Sequence, residues 1–124
     1  VREVDNLVVT AGKGYVASRM KSDASGGSAI MSHMGIGSGS TSAAAGDTAL
    51  GSQLGRVALT STGISGAVLT YTASFPAGTG TGAVTEAGLF NASSSGTMLC
   101  RTVFSVVNKG SSDSMTITWT VTVS

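Results

Sequence analysis

The most regular pattern in the chain is its last one. From Met115 to Val123, apolar residues alternate with threonine without a break. Successive side chains of a strand point to opposite faces. Met115, Ile117, Trp119, Val121 and Val123 therefore share one face, and Thr116, Thr118, Thr120 and Thr122 the other. Threonine is β-branched and suits both water and a neighbouring sheet, so this is a strand with one apolar face. A free strand of this kind invites aggregation, which predicts that it pairs inside a sheet.

The same period of two runs back to Arg56. Residues 57–62 predict a strand, and the glycines of residues 63–66 a turn. In residues 68–75, Leu69, Tyr71, Ala73 and Phe75 alternate with Val68, Thr70, Thr72 and Ser74. Pro76 ends that strand, because proline cannot donate to a ladder. After a loop at 77–82 comes a strand at 83–90. It sets Val84, Glu86, Gly88 and Phe90 against Ala83, Thr85, Ala87 and Leu89. Residues 91–96 form a hairpin-type turn, 97–107 a long strand, 109–112 a turn and 114–123 the closing strand. Turns every ten or so residues are the spacing of a sandwich or barrel. No helix interrupts these strands, so their pairing should be antiparallel.

The first half is less regular. Residues 1–9 end in an apolar run. Thr10 is a candidate cap for a short helix from Ala11 to about Lys21, with Gly12, Val16 and Met20 on one stripe. Arg19 and Lys21 suit its last turn, whereas Gly12 and Gly14 weaken it. Such a short helix must dock, either as a lid on the domain's own core or as a partner-binding arm. Residues 22–28 and 38–46 read as flexible loops. Between them, residues 29–37 alternate Ile30, Ser32, Met34 and Ile36 with Met31, His33 and Gly35, which predicts a strand. Residues 47–54 suit one helical turn, capped by Asp47, with Leu50 and Leu54 turned inward. The expected fold is all-β: an antiparallel β-sandwich, jelly-roll-like, with a short N-terminal helix. Residues 1–124 form one domain, of which 1–27 are arm, helix and loop. A chain of this length buries roughly two thirds of its unfolded surface, enough for one core.

Composition narrows the function. Seven basic and six acidic residues make 10% charge and a net charge of +1, against roughly 25% charged residues in ordinary soluble domains. Such weak charge gives no reason to expect nucleic acid. With 18 glycines and many Ser, Thr and Ala residues, the surface suits a protein packed in an assembly. No apolar run nears the ~20 residues that span a bilayer, so no membrane is expected. No basic-then-apolar signal peptide opens the chain. The one cysteine, Cys100, lies in an apolar run and reads as a small core residue.

The search for chemistry yields no catalytic, cofactor or metal residues. The single histidine, His33, cannot build a His-based metal cage, and reads as structural or surface. The six acids show no spacing that fixes a carboxylate pair. The glycine-rich run 35–40 invites a phosphate reading but lacks both the dinucleotide and the P-loop motif. A flexible or bulged strand end is the plainer reading. Gly12-Lys13-Gly14 likewise lacks the rest of a P-loop. Asn91-Ala92-Ser93 matches the glycan acceptor pattern, without a secretory signal to support it. Glu86 and Arg101 fall in mid-strand, Arg101 on the side of Leu99 and Val103. Each is either on a solvated strand face or buried and paired, with the other or with Arg56 as partner.

Several segments together resemble a family. They are Asn6-Leu7-Val8-Val9-Thr10-Ala11-Gly12-Lys13, Met31-Ser32-His33-Met34-Gly35-Ile36-Gly37-Ser38-Gly39, Gly46-Asp47-Thr48-Ala49-Leu50 and Leu54-Gly55-Arg56. The run continues with residues 70–80, Thr85-Glu86-Ala87-Gly88-Leu89-Phe90-Asn91 and Cys100-Arg101-Thr102-Val103-Phe104. In this order they resemble small structural proteins of tailed bacteriophages, most of all capsid decoration (cement) proteins. Similar glycine-threonine modules occur in tail and fibre proteins. The resemblance implies a non-enzymatic, jelly-roll-type sandwich on the outer capsid surface of the virion, made in the bacterial host cytoplasm. It would bridge subunits of the phage major capsid protein, as a homodimer or homotrimer. The alternative is a tail, collar or fibre module that binds a tail partner or a host glycan. The contact elements expected from low charge and flexibility are residues 1–9, 22–28 and 38–46.

Overall fold

The computed structural model describes residues 7–21 and 30–123. In chain order its elements are β1 (Leu7–Val8), α1 (Thr10–Lys21), β2 (His33–Gly37), β3 (Gln53–Ala58) and β4 (Ser61–Ser65). These are followed by β5 (Val68–Phe75), β6 (Gly82–Phe90), β7 (Met98–Lys109) and β8 (Met115–Thr122). A five-stranded sheet has the order β1-β7-β6-β2-β3, and a three-stranded sheet the order β4-β5-β8. Every pairing in both is antiparallel. One core joins the sheets: Met34, Ile36, Val84, Ala87, Leu89 and Cys100 from the larger, Ala73, Phe75, Trp119 and Val121 from the smaller. This is the sandwich-like all-β architecture that the alternating pattern predicts.

The closing strand faces as expected. Trp119 and Val121 are buried and Met115 and Ile117 half-buried, while the intervening threonines are exposed. Val123 is the exception, 57% exposed just past the end of β8. Among the described residues the strand pairs on one side only, with β5, and so lies at a sheet edge.

The helix forms where Thr10 and the residues after it predict it, and it acts as a lid. Tyr15 and Val16 pack on the main core. Gly12 lets α1 lie directly on β7, since a Cβ there would sit 2.1 Å from the Leu99 carbonyl oxygen. The predicted stripe fails at Met20, which is 82% exposed. Met20 lies ~12 Å along the axis from the Gly12 contact, at a rise of ~1.5 Å per residue. The helix is held on the domain through Gly12, Tyr15 and Val16.

Five other expectations need correction. Of the strand expected at 29–37, β2 begins at His33, with the Ser32 N–H donating to Phe90 O (2.9 Å) just before it. Ile30 is 63% exposed and Met31 takes the buried place at 4%. The strand expected at 57–62 is split, because the chain changes sheets at Leu59 and Thr60. The Leu59 N–H donates to Ser32 O (2.9 Å) and the Thr60 N–H to Thr72 O (2.8 Å). Residues 63–65 belong to β4, and the turn falls at Gly66, whose φ of 58° suits glycine. Residues 47–54 hold no helical turn. The Asp47 carboxylate instead closes a turn with Ala44, accepting its N–H at 2.9 Å. Leu50 and Leu54 still turn inward. Finally, Val84 does not share a side with Glu86. The β6–β7 ladder is irregular between them, and Val84 joins Ala87 and Leu89 in the core. Glu86 turns to the opposite face.

Candidate functional site

The most concentrated chemistry among the described residues lies on that opposite face. Glu86 on β6 and Arg101 on β7 come from adjacent strands and are 0% and 2% exposed. The two pair: Arg101 Nε donates to Glu86 Oε1 at 3.0 Å, and Arg101 Nη1 donates to Asp47 Oδ2, also at 3.0 Å. The other donors to Glu86 are backbone. The Gly51 N–H reaches Oε1 at 2.7 Å, while the N–H groups of Gly39 and Ser52 reach Oε2 at 2.7 and 2.8 Å. Thr85 Oγ1 donates to the Gly39 carbonyl at 2.7 Å. The segment 38–52 is thus laid across the sheet and held at both ends by one carboxylate.

Glycine makes this approach possible. A Cβ on Gly37 or Gly39 would fall 2.6 or 2.5 Å from Glu86 Oε2. The ladder also shifts register between Ile36 and Gly37, as a bulged strand end should. The glycine-rich run that suggested a phosphate cradle does hold an anion, and the anion is the chain's own glutamate. The missing helical turn at 47–54 follows from the same bonds. Gly51 and Ser52 give their N–H groups to Glu86 and have none left for a helix.

Burial pushes the Glu86 carboxyl up. The Ser52, Gly51 and Gly39 N–H groups and the Arg101 guanidinium outweigh it and hold the group below the usual carboxylate range. Each carboxylate oxygen accepts two hydrogen bonds, which uses its acceptor capacity. A closed, saturated carboxylate has no lone pair to offer a substrate or a metal. Its chemistry is to fasten a loop.

The other singled-out residues stand apart from this cluster. Arg56 pairs with neither Glu86 nor Arg101. Its guanidinium lies 3.5 Å from the Phe90 ring centroid and donates to Gln53 Oε1, Ala92 O and Ser95 O. It therefore organises the 91–96 turn. Burial lowers its pKa. Asn91 closes the same turn by accepting the Thr97 N–H on Oδ1 at 2.7 Å. His33 is half-buried, with Nδ1 2.7 Å from Ser32 Oγ. Cys100 is buried as expected, and desolvation pushes its thiol up to about 12. Among the described residues, no three His, Cys, Asp or Glu side chains are grouped to hold a metal.

Sequence reasoning missed Lys109, which is 3% exposed. Its Nζ donates to Pro76 O at 2.9 Å and to Asp113 O at 2.6 Å, joining two turns. The available signal was a lysine just before a glycine turn in a chain with few charges.

The smaller sheet presents a different surface. The register places Thr70 beside Thr120, Thr72 beside Thr118 and Ser74 beside Thr116. Ser61 and Ser65 of β4 share this face. It carries hydroxyls and Val68, with no charge or aromatic ring. Of the expected contact elements, residues 22–28 and 1–6 lie outside the described residues. Leu7 and Val8 pair with β7 and Val9 is fully buried, so this part of the arm is built into the domain itself. Residues 38–46 are largely exposed between their anchors.

No protein-family model and no curated protein sequence matches this chain. Among the described residues, no helix is long and apolar enough to cross a membrane.

Proposed function

We propose that this chain is a structural protein of a tailed-phage virion, a cement protein that binds the outside of the capsid shell and bridges major capsid subunits. The ordered segments that resemble such proteins, given above, suggest the reading. The structural observation that supports it is the uncharged hydroxyl face of β5 and β8. It offers broad, weak and repeatable contact rather than a reactive pocket, and the strongest charge cluster is spent inside the domain. Contacts of that kind gain strength by repetition on a symmetric shell. A copy that binds the mature shell better than its precursor stabilises it by mass action. The jelly-roll connectivity and the homo-oligomeric state belong to the same proposal.

Cryo-electron microscopy of the virion that carries this chain tests it. Hundreds of copies on the icosahedral shell are expected. A handful of copies at the tail or its fibres would overturn the cement reading in favour of a tail, collar or fibre module.

A further inference from the structure

We infer that the free edge of β8 pairs with β8 of a second copy about a two-fold axis, joining two three-stranded sheets into one of six strands. This inference stands on the fold and does not rest on the virion reading. The register pairs Val68 with Thr122 and Leu69 with Val121, and the Val123 N–H donates to Ala67 O at 2.9 Å. Hydrogen-bonded pairs alternate in an antiparallel ladder. Met115, Ile117, Trp119 and Val121 therefore turn their N–H and C=O groups to β5. Those of Thr116, Thr118, Thr120 and Thr122 point away from it. Among the described residues β8 is the last strand of its sheet, and these four threonines are exposed.

Sheet edges are usually blunted by charge, proline, bulges or shortness. Two of the other edges carry such devices: β1 has two residues, and β3 carries Arg56 and pairs across a register shift. β4 is also uncharged and regular, but at five residues it is shorter than β8. β8 has eight residues, no charge, no proline and an unbroken register.

The missing charge also selects the occupant. A two-fold interface sets a strand against itself, so any charge near the axis would face its own copy. β8 presents hydroxyls to hydroxyls on one face and apolar groups to apolar groups on the other, which makes it complementary to itself. The register that uses the whole strand sets Thr118 opposite Thr120 and Thr116 opposite Thr122, with Trp119 beside the axis.

Two double variants test the register. Thr118→Lys with Thr120→Lys sets lysine against lysine across the axis. Thr118→Lys with Thr120→Glu sets each lysine against a glutamate of the other copy. Sedimentation and light scattering of the full chain at ~100 µM should give twice the monomer mass for wild type, the monomer mass for the lysine pair, and twice that mass again for the lysine–glutamate pair. Amide hydrogen exchange separates pairing from misfolding. Thr118 and Thr120 amides should be protected in wild type and open in the lysine pair, with Trp119 and Val121 protected in both. A monomeric or trimeric wild type overturns the inference. So does a dimer that the lysine pair leaves intact, or one that both variants abolish alike.

Discussion

The two sheets of this domain turn opposite kinds of surface outward. The outer side of the larger sheet is closed: segment 38–52 lies over it, fastened through Glu86, Arg101 and Asp47. The outer side of the smaller sheet carries rows of threonine and serine with no charge. Both are antiparallel sheets packed on one core, so strand pairing does not separate them. What separates them is where the few charges went. Buried charge needs several fixed donors and so demands one arrangement of the covering loop. A hydroxyl face makes no such demand and stays available to water or a partner.

The sharpest way to break this contrast is to remove the anchor. Glu86→Ala leaves the Arg101 Nε and three backbone N–H groups unmet and should cost roughly 3–5 kcal/mol in a urea titration. Amides of Gly39, Gly51 and Ser52 should then exchange freely while those of β5 stay protected. Retained protection at the three loop amides would show that the carboxylate is not what holds the segment.

Trp119→Ala attacks the other sheet. Truncating this buried ring should also cost roughly 3–5 kcal/mol, with the loop amides still protected. A loss below ~1 kcal/mol would contradict its place in the shared core.

Acid should distinguish the two sides without mutation. The Glu86 pKa is lower in the folded chain than in the unfolded one. The stability it contributes is therefore complete above the ordinary carboxylate pKa and is lost as pH falls through the depressed folded value. Stability measured against pH should fall in that acidic range for wild type, and Glu86→Gln should flatten the fall. An unchanged slope in the variant would assign the acid sensitivity elsewhere.

The smallest effect belongs to the open face. Thr116→Ala removes the 3.1 Å contact between Ser74 Oγ and Thr116 Oγ1 and should cost no more than ~1 kcal/mol in the same titration. A larger loss would mean that the hydroxyl rows stabilise the sheet they decorate.

Much of the fold was legible in the pattern. The period of two gave β5, β7 and β8 their extent and β8 its facing, and Thr10 marked the start of α1. The misreadings share one cause. Residues 57–65 read as strand, then turn, because nothing local says that the chain changes sheets at Leu59 and Thr60. Val84 was placed with Glu86 because strict alternation cannot anticipate an irregular ladder. Asp47 looked like a helix cap because its spacing to Leu50 and Leu54 fits one, yet Gly51 and Ser52 spend their N–H groups on a side chain about 35 residues away along the chain. As for the candidate site, Glu86 and Arg101 stood out as rare charges in mid-strand, with the choice between solvent and each other left open.

By itself, the sequence determined that this protein is all-β with one short helix, because side-chain alternation and capping are local properties. It also determined that one face of β8 is apolar and the other threonine. Only the tertiary structure decided that Glu86 meets Arg101 beneath a glycine-lined segment, and that β8 ends up at an edge. Those outcomes depend on which strands become neighbours. Burying a charge or leaving an edge open is settled by contacts between residues far apart in the chain, where a local pattern carries no information.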